Sequence, residues 1–483
     1  MSEEKARGAG LKERQGARAK PQRPGKGRAA PRSRGRGEKT GTRPQAAAPG
    51  LAAREAALAI FLKVVRDGAP LPALLESAPP GFKALSAPDK ALVRAMLEAA
   101  LRHRGEIETA VARRLERPLD EKAHRLSALL HLGAAQILFL DVPDHAAINL
   151  AVTAAGRDRR TARTKGLVNS VLRRIARERQ EVLRAADASD NAPAWLKARW
   201  LAHWGEARAE AIFQAHGETP PLDLSARGAP QEVAALVGGR VLPTGTVRLE
   251  RGGAVSALPG YDDGLWWVQD AAASIPARLL GDVRGKRVAD LCAAPGGKTA
   301  QLAAAGAKVT AIEKSAARLK RLAGNLSRLG LSAELVEADI LAYRPAEPFD
   351  AILLDAPCTA TGTARRHPDL VWTKRPDEIG ALAALQATML ARVGGWLKPG
   401  GVLVYATCSL EPEEGEAQAR AFSAAQQELR ALPLNEAEFP WLDGFLTPEG
   451  YFRSLPGMPI GEGEGEAGRA GMDGFFAARW RRL

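Results

Sequence analysis

Arg287-Val288-Ala289-Asp290-Leu291-Cys292-Ala293-Ala294-Pro295-Gly296-Gly297-Lys298-Thr299 is the stretch that decides the fold. A short strand-like run ends in a glycine turn that opens a helix, which lets a ligand approach backbone N–H groups closely. Two nucleotide-binding readings fail here. A Walker-type phosphate loop needs glycine at position 292, which is Cys292, and the G-x-G-x-x-G spacing of dinucleotide folds is absent.

Downstream the pattern repeats. Short β-rich runs at 287–291, 308–312, 333–337, 349–354 and 402–406 alternate with helical segments, which predicts a doubly wound, Rossmann-like α/β sheet. Ligands of such sheets sit beyond the carboxyl ends of the strands, so the residues after each run carry the chemistry. Glu313 follows the second run, where an acid can take a ribose diol, and Asp339 follows the third. A glycine turn and two successive strand-end acids, with no phosphate loop, suit an adenosyl ligand. S-adenosylmethionine fits best, with the glycine turn, Glu313 and Asp339 around it.

The fourth run leads into Asp355-Ala356-Pro357-Cys358 and the fifth into Thr407-Cys408-Ser409. If these strands are neighbours, ~4.8 Å apart, both thiols face one pocket. A pyrimidine explains the need for them. C5 of cytosine is a poor nucleophile until a thiolate adds at C6, and a base must then remove the C5 proton so that the thiol can leave. Asp355 suits a carboxylate bonded to N3 and the exocyclic amine.

A chain of 483 residues with 46% hydrophobic residues predicts two or three domains. Three cysteines exclude a disulfide framework, so reduced thiols and a cytoplasmic location are expected. No apolar run reaches the ~18 residues of a membrane span, and no apolar segment follows the basic N-terminus as in a signal peptide. The net charge of +14 is concentrated at that end. Residues 1–50 hold fourteen lysines and arginines against four glutamates, a net of +10, and +4 remains for the rest. Residues 1–49 have almost no large apolar side chains and read as a disordered basic tail of roughly 40 Å reach, suited to a polyanion or simply solubilising.

Residues 50–180 switch to Ala/Leu-rich segments with apolar residues at helical spacing, such as Leu58, Phe61, Leu62 and Val65. They predict an all-helical domain. Its last helix, at about 164–180, pairs an apolar stripe with the basic face of Lys165, Arg173, Arg174, Arg177 and Arg179. His145 is read as structural, because no second His or Cys stands at metal-ligand spacing, and no metal is expected. Residues 181–265 predict a helix with an aromatic stripe (Trp195, Trp200, Trp204), core rather than nucleic-acid platform. A small mixed subdomain follows, with brief apolar runs at Leu236-Val237 and 247–249. Residues 266–483 form the α/β domain.

The segment from Ala135 to Asn149, with Lys165-Gly166-Leu167-Val168-Asn169, resembles the NusB-type RNA-binding helical domain. The glycine-turn stretch, Asp-Ala-Pro-Cys at 355–358, Gly362 with Arg366-His367-Pro368-Asp369, Tyr405-Ala406-Thr407-Cys408-Ser409 and Asp473-Gly474-Phe475-Phe476 together resemble the RsmB/NOP family of RNA cytosine-C5 methyltransferases. The resemblance covers about 50–483. It implies S-adenosylmethionine at Cys292 to Lys298, Glu313, Asp339 and Asp355, with Cys408 as nucleophile and Cys358 assisting release. It further implies small-subunit ribosomal RNA as substrate, RNA positioning by 181–265, and a monomer. One departure stands out: Leu222-Asp223-Leu224-Ser225 replaces the Leu-Arg-x-Asn strand usual in the family. Three other readings compete: a transfer RNA methyltransferase, a DNA cytosine methyltransferase with Cys358 as nucleophile, and a non-catalytic antitermination-type RNA-binding protein. The helical RNA-binding domain argues against DNA, and an intact set of two thiols, Asp355 and the glycine turn against a silent protein. Lys298 is the nearest cation the sequence offers to activate Cys408.

Overall fold

The computed structural model describes residues 49–249, 254–461 and 471–483. The basic tail, apart from its last residue, lies outside the described residues.

The N-terminal domain is all-helical. Its centre is His124–Phe139, a helix apolar around its whole circumference with twelve of its sixteen residues buried, so it is enclosed by other helices on every side. Leu51–Asp67, Ala87–Arg102, Asp144–Arg157 and Lys165–Arg177 wrap it, and their apolar stripes merge into one core from Leu51 to Val182. Gly133 lets two helices touch: a Cβ there would lie 2.6 Å from Leu172 of Lys165–Arg177. The one polar side chain at that level, Gln136, donates to Leu132 O at 2.8 Å and accepts from Arg54 at 2.9 Å, so it is buried without an unmet bond. His145 is exposed in the first turn of Asp144–Arg157 and takes no part in the core, contrary to its reading as structural.

The helices Ala194–Trp204 and Glu206–Gly217 follow. Trp200 is fully buried, and Trp195 and Trp204 flank the same cluster, which reaches Ala364, Val371, Leu410 and Leu455 of the α/β domain. The aromatic stripe is therefore core, and this helix pair is the wall behind the segment that follows Cys408. Arg199 clamps Glu411 at 2.8 Å, and Trp200 donates to the same carboxylate at 3.2 Å.

A small antiparallel sheet comes next: β1 (Leu222–Ala226), β2 (Arg240–Val241), β3 (Val247–Leu249) and β4 (Trp266–Val268), in the order β2-β3-β1-β4. Leu236-Val237 is not a strand. It ends the helix Pro230–Val237, started by proline in its first turn and stopped by Gly238 at φ 69°. Asp223 on β1 stands directly opposite Arg248 on β3, and two hydrogen bonds of 2.7 and 2.8 Å join them in the interior. The departure from the Leu-Arg-x-Asn pattern thus has a structural partner: the acid on β1 is matched by a base on the adjacent strand.

The large sheet contains β5 (Arg287–Leu291), β6 (Lys308–Glu313), β7 (Glu334–Glu337), β8 (Phe349–Asp355), β9 (Leu397–Thr407), β10 (Leu429–Ala431), β11 (Phe452–Ser454) and β12 (Phe475–Arg482). Its order is β10-β12-β9-β8-β5-β6-β7, with β11 also on β12. β5 to β9 run parallel, with β5, β6, β8 and β9 largely buried and β7 a half-exposed edge, while β12 pairs antiparallel with β9. The order reverses between β5 and β8. That crevice is where a doubly wound sheet binds its ligand, and it opens between Cys292 and Asp355.

Candidate active site

The parallel register places Asp355 opposite Ala406, so the turns after β8 and β9 leave the sheet side by side. Cys358 and Cys408 consequently come together, with their sulfurs 3.5 Å apart. The hydrogen bond to Cys408, reinforced by burial, pushes Cys358 well above the usual thiol range. Cys358 is therefore held as a thiol, and in the contact between the two sulfurs either can be the donor.

At the end of the neighbouring strand Lys298 reaches across from the glycine turn and binds Asp355 at 2.8 Å, and among the described residues no protein donor reaches the other Asp355 oxygen. Burial opposes the Lys298 charge, but Asp355 and then the Cys408 sulfur outweigh it and raise the ammonium above its ordinary range. The Phe475 ring lies 5.1 Å from Nζ. Lys298 is thus tied first to Asp355, and Cys408 is a more distant electrostatic neighbour.

A second cation, Arg366, interacts electrostatically with the same sulfur, and the sequence reading gave it no role. Arg366 is held by Asp473 through Nε at 2.7 Å, and Asp473, Asp270 and the Cys408 sulfur raise its pKa against the cost of burial. Its neighbour Arg365 bonds Asp270 at 2.6 Å and Asp473 at 2.7 Å. The motifs around 366 and 473 therefore form one interlocked unit. Gly362 and Gly474 are its joint: Gly362 N donates to Cys408 O at 3.0 Å, Gly474 N donates to Gly362 O at 2.9 Å, and a Cβ on Gly362 would fall 2.0 Å from Gly474 O.

Asp290 was also missed. It lies fully buried on β5 behind Lys298, accepts from Thr299 at 2.6 Å, and leaves Oδ1 with no partner. Burial, with Asp355 adding to it, pushes its carboxyl up to about 7. A strand-end acid in the sequence carries no signal of that burial.

The positions expected around the cofactor divide between two adjoining cavities. Cys292, Ala294, Glu313, Asp339 and Asp355 line one of ≈ 590 Å³, which both Cys358 and Cys408 also face. Ala293, Pro295, Gly296, Gly297 and Lys298 line the other, of ≈ 420 Å³, with Ala294 and Asp355 common to both. Cys292 has φ 59°, a left-handed backbone that a side chain adopts only under constraint, and Gly296 at φ 105° caps the helix Gly297–Ala304.

The first cavity fits an adenosyl group. Glu313 is buried, and its Oε2 accepts no directed hydrogen bond although Arg318 stands 3.2 Å away, so it is an unmet acceptor suited to a ligand hydroxyl. Beyond it Ile312, Ile340, Leu341 and Met389 form an apolar slot suited to a purine, and Asp339 sits at the rim, paired with Lys314 at 2.8 Å. Among the described residues no cluster of three His, Cys, Asp or Glu could hold a metal ion, and no helix is long and apolar enough to cross a membrane.

A helical domain placed before a Rossmann-like sheet, with an adenosyl pocket and a thiol pair at its switch point, defines an S-adenosylmethionine-dependent RNA methyltransferase. Comparison with known proteins agrees. Residues 51–177 match the NusB family and residues 277–480 the family described as 16S rRNA methyltransferase RsmB/F. Ribosomal RNA small subunit methyltransferase B of Xanthomonas campestris is 40% identical over 81% of this chain and 92% of its own length. The protein of that name from Klebsiella pneumoniae is 38% identical over 75% and 87%. A solved methyltransferase homolog from Pyrococcus horikoshii, 29% identical with a TM-score of 0.50, covers 63% of this chain and 98% of its own. The chain belongs to the 16S rRNA methyltransferase RsmB/F family.

Proposed function

We propose that the protein methylates C5 of a cytosine in small-subunit ribosomal RNA through a covalent bond between Cys408 and C6. The observation that carries this reading is the thiol pair, 3.5 Å apart, beside the Lys298–Asp355 ion pair. Cys408 adds to C6 as thiolate, its charge eased by Lys298 and Arg366. The electron pair of the C5–C6 double bond moves toward C5, and the free oxygen of Asp355 accepts from the exocyclic amine beside N3. Glu313 and Asp339 would hold the cofactor's ribose and adenine edges, and the turn from Cys292 to Gly297 its amino-acid end. Bound there, S-adenosylmethionine would supply an electrophilic methyl carbon to C5, its sulfur keeping the electron pair of the broken S–CH3 bond and leaving as the thioether. A cavity water then takes the C5 proton, the C–H pair restores the C5–C6 double bond, and Cys408 departs as thiolate, met by the S–H of Cys358.

On this reading the helical domain at 50–180 and the segment 181–265 supply the RNA-binding and RNA-positioning surfaces, and the enzyme works as a metal-free monomer in the cytoplasm, where its thiols stay reduced. The test uses two variants incubated with RNA and cofactor. Cys408→Ala loses turnover and forms no adduct, whereas Cys358→Ala accumulates a protein–RNA species that survives denaturation. Exchange of the two phenotypes would assign the nucleophile to Cys358 instead. Bisulfite mapping of ribosomal and transfer RNA from a deletion strain reports the substrate, and a lost signal in transfer RNA alone would overturn the ribosomal assignment.

A further inference from the structure

Glu414 is a carboxylate buried near both cysteines, and among the described residues no lysine or arginine pairs with it. Only hydrogen bonds offset its burial. Its oxygens accept from the backbone N–H of Thr359 at 3.0 and 3.2 Å, from the Thr359 hydroxyl, from the Ser409 hydroxyl at 2.5 Å and from Gln386 at 3.0 Å. Thr359 follows Cys358, and Ser409 follows Cys408. The residues before the two cysteines are tied to the same place. Gln386 also donates to Pro357 O at 2.9 Å, and the Thr407 hydroxyl donates to the Glu414 carbonyl at 3.3 Å. Tyr405 OH donates toward that carbonyl at 2.7 Å, with Gln386 Oε1 3.1 Å away. The chain on each side of each cysteine therefore converges on one residue.

The ionised carboxylate suits this post because it accepts only, and four donors face it. Burial pushes Glu414 upward while those donors hold it down. The turns after β8 and β9 are also tied by Ala356 N to Ala406 O at 2.9 Å, Gly362 N to Cys408 O at 3.0 Å and Leu410 N to Thr361 Oγ1 at 3.0 Å, and Glu414 adds the carboxylate that bonds the residue after each cysteine at once.

We infer that Glu414 is a positioning residue for the release step, holding the Cys358 thiol against the Cys408 sulfur. The inference rests on the covalent reading above. In release the C5 proton goes to water, the C6–S bond breaks with its electron pair returning to Cys408, and the Cys358 S–H must stand within hydrogen-bond reach of that sulfur. Glu414 touches neither substrate nor sulfur and acts through the geometry it sets.

Glu414→Gln keeps the volume and turns one acceptor into an NH2 donor facing other donors. The expected result is turnover lower by up to ~100-fold, the scale of a reacting group misplaced by about 1 Å, with cofactor affinity unchanged. A covalent protein–RNA species accumulates as it does in Cys358→Ala, and the double variant accumulates no more than Cys358→Ala alone. Thr359→Val, which removes one hydroxyl and leaves the carboxylate, shows the same adduct at a lower level and serves if the glutamine variant does not fold. Loss of turnover without adduct in both variants, or turnover equal to wild type, overturns the inference while Cys358→Ala still accumulates adduct. If Cys358→Ala accumulates none, the covalent reading falls and this inference with it.

Discussion

Arg102, at the end of the helix Ala87–Arg102 in the N-terminal helical domain, is 7% exposed and directs Nη1 at three backbone carbonyls. They are His216 O at 3.0 Å, Glu218 O at 2.8 Å and Arg365 O at 2.7 Å. Through Arg365 the helical domain holds the segment that carries Arg366 and His367 into the cavity lined by the glycine turn. Arg102→Met keeps most of the packing and removes all three bonds. A hydrogen bond from a charged donor contributes ~1.5–3 kcal/mol, and a buried carbonyl left without a donor costs about 1–3 kcal/mol. Two other ties survive the substitution: Leu71 N to Asp369 Oδ2 at 2.9 Å and Trp372 Nε1 to Leu101 O at 2.9 Å. The segment stays attached but opens locally about 2–3 kcal/mol more easily, which is roughly 30–100-fold at 1.4 kcal/mol per tenfold. Hydrogen exchange reads this at named amides: Arg366 N and His367 N, both bonded to Thr363 O at 3.0 Å, exchange faster by that factor. Core amides of β5 and β8 do not change, and turnover falls while cofactor binding is retained. Unchanged exchange at those two amides would refute the coupling, whatever happens to turnover.

Three further outcomes follow from the same geometry. Asp290 holds its proton up to about 7 in the folded state but ionises near 4 once unfolded. Between those values the native state binds more protons, so this group's share of stability is lost as pH rises, by up to ~1.4 kcal/mol per unit, and Asp290→Asn removes that slope. Denaturation midpoints from pH 4 to 8 with identical slopes in both proteins would count against it. Asp223→Ala leaves Arg248 buried without its carboxylate and destabilises by about 3–5 kcal/mol, whereas Asp223→Ala with Arg248→Met recovers most of the loss; denaturant titration measures both, and equal losses would sink the pairing argument. Glu313→Ala weakens S-adenosylmethionine binding by roughly 10–100-fold in calorimetry, the scale of lost hydrogen bonds to a charged acceptor, and an unchanged Kd would move the ribose elsewhere.

The parallel strands were legible because each is a short apolar run bounded by turn residues. The run at 287–291 coincides with β5, and those at 308–312, 333–337 and 349–354 fall within a residue of β6, β7 and β8. The run at 402–406 is the end of a longer strand, Leu397–Thr407, whose first residues include Pro399, Gly400 and Gly401 and so read as a turn. The antiparallel edge was not legible. Phe475-Phe476 was visible as a motif, but that it begins a strand paired with β9 follows from where the sheet leaves an open edge. Leu236-Val237 misled because two apolar residues have no period, and the proline and glycine around them decided for a helix.

The sequence by itself determined the order of elements, the turns that end in Cys292, Asp355, Cys358 and Cys408, and the chemistry those residue types can perform. All of that is local: strand period, glycine punctuation and side-chain identity are properties of contiguous residues. Only the tertiary structure decided that β8 lies between β5 and β9, so that a turn from each of three strands meets at one crevice and the two sulfurs stand 3.5 Å apart. It likewise assigned Lys298 to Asp355, brought Arg366 toward Cys408 through Asp473, and buried Asp290 and Glu414. The physical reason is that ionisation and alignment depend on desolvation and on partners tens to hundreds of residues away, and no pattern along the chain encodes either until the sheet is assembled.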